Sequence, residues 1–309
     1  MRESDCKKTK SVSFKPTPFG GRWYGPLAMA ALIALDVVLV RALLTRPVDG
    51  LSFVLALIVL ASVVVIFYLG YRSLGVLTLE YWMDRDAVTM IWGPTRHVVP
   101  MGQIQRIVLN AEAQPLDSPA PWHWPCPHRR RMHTEAYGTV NAYGTRPLPE
   151  QIVLVTPGEA YALSPANPEG FVQALQERFA LGVNRVREPE LQRPPLWTWP
   201  LWRDRTALFL IGAGLFGMLV MFGALSFRYP GLSADLPLHF DVTGLPDRIA
   251  PKSELFTLPM IGLAVWLLNT AAGVWLYRRV QQTTAYLLWF GALAVQGIAG
   301  LALFNLMRW

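Results

Sequence analysis

Five apolar windows dominate this chain: Leu27–Leu44, Leu51–Tyr71, Thr206–Ser226, Phe256–Tyr277 and Ala285–Leu306. Each is long enough to cross a hydrocarbon core of about 30 Å at about 1.5 Å per residue. In lipid a segment must satisfy its own backbone N–H and C=O groups, so each window is expected to be one α-helix. Charged residues make up only 16% of the 309-residue chain, a deficit against the usual soluble domain that points the same way. Between the second and third windows lies a polar stretch of domain size. The expected architecture is therefore a membrane α-helical bundle of about five transmembrane helices with one inserted domain. Its parts are a basic tail (1–26), a transmembrane hairpin (27–71), the insert (72–185), a juxtamembrane linker (186–205) and a three-helix region (206–309) with an outer loop (227–255).

The net charge of +7 raises the question of nucleic acid, but its distribution answers differently. Arg2, Lys7, Lys8, Lys10, Lys15 and Arg22 precede the first window, Arg278-Arg279 forms the turn between the last two, and the insert carries Arg129-Arg130-Arg131. Five spans place all three groups on one side, which is the positive-inside pattern. The expected location is the plasma (inner) membrane, multi-pass, with the N-terminus cytoplasmic and the C-terminus extracytoplasmic. No motif that reads nucleic acid accompanies the charge. The first window carries Asp36 and Arg41 and runs into the second with no small-x-small cleavage site, so it reads as a retained anchor. Cys6 and Cys126 both fall on the predicted cytoplasmic side, where a structural disulfide is not expected.

From Leu77 the hydrophobic period switches to two. Leu77–Trp82, Ala87–Trp92, His97–Pro100, Ile104–Leu109, Tyr137–Tyr143, Gln151–Thr156 and Ala160–Leu163 read as short strands on hairpin spacing, an antiparallel sheet that curls into a barrel or sandwich. Then Asn167-Pro168-Glu169 places a cap, a first-turn proline and an acid ahead of the stripe Phe171, Leu175, Phe179, Leu181, and Gly182 stops it. Seven strands and one helix resemble the pleckstrin-homology (PH) barrel. Trp92-Gly93 before a Val-Pro strand, and the run Ser164-Pro165-Ala166-Asn167-Pro168-Glu169-Gly170-Phe171, are similar to features of the bacterial membrane-attached versions. The resemblance, over Leu77 to Gly182, implies an all-β PH-like barrel capped by a C-terminal helix. In eukaryotic relatives the fold often binds phosphoinositides through basic loops. Here Met83-Asp84-Arg85-Asp86 sets two acids around one base, a poor phosphate cradle, so a protein-interaction module is expected instead.

Other motifs yield to blander readings. His123, Cys126, His128 and His133 crowd one Pro- and Arg-rich segment, but their spacing matches no zinc site, and an exposed Trp/Arg patch against anionic lipid is expected. Ile211–Gly217 spells G-x-G-x-x-G inside a membrane window, where glycines admit a neighbouring helix rather than a dinucleotide. Asp36 stands near the middle of the first window, where an unpaired carboxylate costs about 3 kcal/mol. A polar partner is therefore expected, and Arg41, Asn269, Gln296 and Asn305 are the candidates. No window holds a histidine and no nucleophile elbow appears, so neither cofactor nor metal nor enzymatic activity is expected.

The outer loop carries Pro237, His239, Phe240, Asp241, Gly244, Pro246, Asp247, Arg248 and Lys252, with Pro259 beyond. It resembles the signature Pro-x-His-Phe-x-x-x-Gly-x-Pro-Asp of a bacterial family of unknown function that includes immunity proteins against a sporulation-delay toxin. Gly244 and Pro246 suit a tight turn that would bring His239 and Asp247 together. Two functions are open: a non-enzymatic membrane scaffold or accessory subunit whose domain docks a membrane or cytoplasmic protein, or a receptor or immunity-type sensor that binds a peptide or small ligand at this loop.

Overall fold

A computed structural model describes residues 11–109, 113–183, 187–194, 198–240 and 246–308, apart from the side chains of residues 239, 240 and 246. The chain divides into two compact units, Met1–Ala34 with Val63–Pro195 and Leu35–Ser62 with Leu196–Trp309. Among the described residues five helices are long and apolar enough to cross a membrane. They are α1 (Tyr24–Thr45), α2 (Gly50–Leu77), α4 (Arg205–Arg228), α5 (Thr257–Arg278) and α6 (Gln282–Leu306). This is a multi-pass membrane protein with a β-rich region.

The β-rich unit holds two five-stranded sheets. The first runs β1 (Val12–Phe14), β2 (Glu80–Met83), β3 (Ala87–Trp92), β4 (Thr95–Pro100), β10 (Glu190–Gln192), antiparallel throughout. Gly93, at φ 54°, turns β3 into β4, a conformation that a side chain would resist. The second sheet runs β5 (Arg106–Val108), β8 (Ile152–Val155), β9 (Ala160–Leu163), β7 (Gly138–Tyr143), β6 (Arg131–Thr134). Three expectations need correction. Among the described strands no barrel closes; β7 and β9 pair in parallel; and β6 forms inside the arginine- and histidine-rich segment read as loop. The parallel pair follows from connectivity: β8 lies antiparallel to β9 on its other side, so the chain needs no crossover helix between β7 and β9.

Helix α3 (Pro168–Leu181) begins where Asn167 Oδ1 accepts the Gly170 N–H at 2.9 Å, and ends at Gly182, with φ 68°. Its apolar face is buried: Phe171 and Leu175 are fully covered, and Phe171 meets Phe14 and Tyr81 edge to face at 5.2 and 6.4 Å. Truncating a phenylalanine so placed costs about 3–5 kcal/mol. Phe14 comes from β1, so part of the segment expected to be basic tail contributes to this core.

In the second unit α4, α5 and α6 pack on one another through glycine. A Cβ on Gly214 would lie 2.5 Å from the Trp266 indole, whose Nε1–H donates to the Ile211 carbonyl at 3.0 Å. Gly273 stands as close to Trp289. Within the G-x-G-x-x-G run Gly214 and Gly217 thus admit the close approach that glycine allows between membrane helices, whereas a Cβ on Gly212 would meet nothing within 4 Å. Between α4 and α5 the chain forms a hairpin, β11 (Asp235–Phe240) with β12 (Pro246–Pro251). Its Leu236, with Leu255 just beyond, is buried against Leu225, Leu303 and Met307, so the hairpin base seals one end of the α4/α6 pair.

Candidate functional site

In the β-rich unit the C-terminal part of α2 is tied to the segment 121–130. Arg72 Nη2 donates to the carbonyl oxygens of His123 and, at 2.8 Å, Cys126, while Nη1 reaches that of Arg129 at 3.5 Å. The Tyr68 hydroxyl donates to the Trp122 carbonyl. Both guanidiniums face one indole: Arg72 lies 5.7 Å and Arg129 5.5 Å from the Trp92 ring centroid. Arg129 also sits 3.6 Å from the Tyr143 ring centroid, and burial pulls its pKa below the ordinary arginine value. Among the described residues no carboxylate pairs with either cation, and carbonyls and ring faces supply the negative potential they need. Helix and sheet touch closely, since a Cβ on Gly75 would fall 2.2 Å from Trp92.

The expected exposed Trp/Arg patch is therefore only half right. Trp122 and Trp124 are exposed at 67% and 40%, but Cys126 and Arg130 are buried. Arg72 draws the backbone carbonyls of the segment inward, and Cys126 follows them; burial raises its thiol pKa. The histidines part company. His123 Nδ1 accepts the Ala120 N–H, His128 packs edge-on against Phe19, and His133 meets the Asp117 carboxylate at 3.1 Å. Among the described residues no group of three metal ligands forms. Cys6 lies outside the described residues.

His97, nearly buried, stands between Tyr143 and Tyr161, with Nδ1 2.9 Å from the Tyr143 hydroxyl. The Tyr161 hydroxyl donates to Glu159, which also receives Asn141 and Arg131 at 2.8 and 2.9 Å. Desolvation, then the nearby Arg129 charge, pushes the His97 pKa down to about 4, so the ring is neutral near pH 7.

In the second unit Asp36 has a partner that was not among the candidates. Ser62 Oγ lies 2.8 and 2.7 Å from its two carboxylate oxygens. Arg41 contributes a backbone carbonyl to Thr45; Asn269 donates to Val265 in its own helix; Gln296 is buried with neither amide atom hydrogen-bonded among the described residues. The structure brings none of these three to Asp36. In the hairpin the backbone pairs His239 with Arg248 and Phe240 with Pro246. The His239 side chain, and Asp241 and Gly244 altogether, lie outside the described residues, and with them the expected meeting of His239 and Asp247. Arg248 pairs with Glu254 at 2.8 Å. Lys252 Nζ donates to the Tyr229 and Leu232 carbonyls at 3.1 Å, against the Tyr229 ring.

Sequence reasoning also missed Asp204. Its Oδ1 caps α4 by accepting the Thr206 and Ala207 N–H groups at 3.0 Å, and its Oδ2 accepts the hydroxyls of Tyr277, at 2.9 Å, and Tyr286. The Tyr286 hydrogen bond leads in holding the carboxyl below the usual aspartate range. An acid directly before an apolar window was the available signal.

Residues 79–179 match the family described as Bacterial PH domain, and residues 216–263 match one described as Domain of unknown function (DUF1648). The second match spans the end of α4, the hairpin and the start of α5. No curated protein and no solved structure matches the chain.

Proposed function

We propose that this chain is a non-enzymatic scaffold or accessory subunit of the bacterial inner membrane, whose cytoplasmic PH-like domain docks a protein partner. In this reading the two sheets form a PH-type domain with α3 as its cap, and the basic tail and Arg278-Arg279 turn face the cytoplasm. The observation that carries it is how the first hairpin loop uses its base. Arg85 donates to the Gly182 and Leu181 carbonyls at 2.9 and 2.7 Å, and Asp84 pairs with Arg187 at 3.3 Å. The guanidinium that a phosphate would need is already committed. The sheet offers instead a hollow of about 300 Å³ lined by Ser11, Trp82, Asp84, Thr89, Ile91 and Arg96, of which Trp82 and Arg96 are of the types that protein interfaces favour.

A photo-crosslinking residue at Thr89, in intact membranes, tests this reading. We expect one discrete protein adduct, abolished by Ile91→Asp; adducts to lipid alone would overturn it. The sensor reading draws on Ile249, 69% exposed on β12. A crosslink at Ile249 with none at Thr89 would favour it. Thiol labelling of intact cells that reached a cysteine at Gln281 but not one at Thr243 would reverse the orientation.

A further inference from the structure

A second hollow lies where α4 begins, α5 ends and α6 begins, about 300 Å³ in volume. Trp199, Leu201, Val274 and Tyr277 form apolar walls, and Arg278 and Gln282 stand at its rim. Beneath it Ala207, Ala285 and Trp289 close the bundle, all buried. The Arg278 guanidinium lies 4.8 Å from the Trp199 ring centroid and that of Arg279 5.4 Å from Trp275.

The charge around this hollow is one-sided. Arg203, Arg205, Arg278 and Arg279 are all exposed, and among the described residues none makes an ion pair. Asp204, which precedes α4, has both oxygens engaged by two backbone N–H groups and two tyrosine hydroxyls. Among the described residues of this unit no acid answers these arginines, which leaves their charge open to an outside anion. Depth settles its form. The hollow sits at the ends of three apolar spans, so an occupant has its polar part at the boundary and its apolar part among side chains at the bilayer edge. Exposed Trp202 and Trp275 fit the same boundary.

We propose that this hollow is a binding site for an acidic phospholipid, its phosphate on Arg278 and Arg279 and one acyl chain against Trp199, Leu201 and Val274. The site is separate from the docking hollow on the sheet and does not depend on which compartment the arginines face. Each of the two guanidiniums lies over an aromatic ring, and no hydrogen bond to protein acceptors engages its N–H groups among the described residues, which leaves them for phosphate oxygens. A free phosphate ion would meet the charge but leave the apolar walls empty.

The test uses the full chain in mild detergent, followed by native mass spectrometry with phosphatidylglycerol, phosphatidylcholine or inorganic phosphate. Phosphatidylglycerol should stay bound and phosphatidylcholine should not. Arg278→Gln with Arg279→Gln should weaken retention by about thirtyfold, at roughly fivefold for each arginine at an anionic surface. Val274→Trp, which fills the hollow and keeps every charge, should weaken it as well. Arg228→Gln with Arg308→Gln, at the other ends of α4 and α6, should leave it unchanged. Equal retention of phosphatidylcholine, phosphatidylglycerol binding untouched by the Arg278/Arg279 pair or by Val274→Trp, an equal loss from the Arg228/Arg308 pair, or displacement by millimolar phosphate would each overturn the proposal.

Discussion

Both units press a tryptophan onto a helical glycine, Trp92 on Gly75 and Trp289 on Gly273, yet they treat the rest of the indole in opposite ways. Trp92 carries a guanidinium at each of two contacts, and those guanidiniums reach backbone carbonyls. Trp289 stacks near Tyr277 and Tyr286, and its Nε1–H has no acceptor among the described residues. A β-rich unit has loop carbonyls to spare, so it can take in cations. A helix bundle has spent most of its carbonyls along the helix axes, with Ile211 still receiving the Trp266 indole, and its interior favours small residues and rings. The same glycine–tryptophan contact thus belongs to a polar network in one unit and to plain close packing in the other.

If that contrast is real, the largest effect should come from removing a stacked cation. Arg129→Ala should cost about 3 kcal/mol, from two lost ring contacts and the void between Trp92 and Tyr143. Thermal unfolding of the full chain in detergent would read it, and a neutral outcome would mean that the rings do not need the charge. Overpacking comes next. Gly75→Ala drives a methyl group into an indole flanked by two guanidiniums, at about 2 kcal/mol. Gly273→Ala should cost less, because Trp289 has no such clamp; the reverse order would break the comparison.

A pH series sharpens it further. The His97 pKa is depressed to about 4 in the fold against 6.5 when exposed, so the unfolded chain binds more protons between those values. Stability of the β-rich unit should be complete above pH 6.5 and fall as the pH drops toward 4. His97→Gln should flatten that slope, as followed by tryptophan fluorescence. The smallest effect belongs to the membrane pair. Ser62→Ala takes the hydroxyl from Asp36 and should cost only about 0.6 kcal/mol, since polar bonds between membrane helices average that little. A loss several times larger would show Asp36 buried more deeply than the exposed faces of α1 and α2 suggest.

What the sequence disclosed follows from how local each signal is. Hydropathy acts within one segment, so the five windows became five helices. Period-two alternation and the Asn167 cap are equally local, and β2, β3, β9 and α3 appeared close to where they were read. Features that depend on a distant partner stayed hidden. Val12–Phe14 becomes a strand because β2 offers it an edge, and Arg131–Thr134 because β7 does. Arg72 reads as an interfacial arginine at the end of a span; its carbonyl partners lie more than fifty residues away. Ser62 was passed over because a serine breaks no apolar window, although its hydroxyl is small enough to reach a carboxylate between two helices. In the hairpin β11 pairs with β12, while the turn expected at Gly244 and the His239 side chain lie outside the described residues.

The order of the first sheet has a practical consequence. Its two outermost strands, β1 and β10, come from the segments before and after the region that matches a bacterial PH domain. A fragment cut at residues 79 and 179 would lose both and display the bare N–H and C=O rows of β2 and β4 to solvent. Exposed edges of that kind recruit one another, so the excised piece should self-associate, and a fragment carried from Ser11 through Gln192, which keeps the membrane helices α1 and α2 and is held in detergent, should stay monomeric there. By the same logic, a binding partner that adds a strand to this sheet must pair with the outer edge of β1 or β10, or else displace one of them.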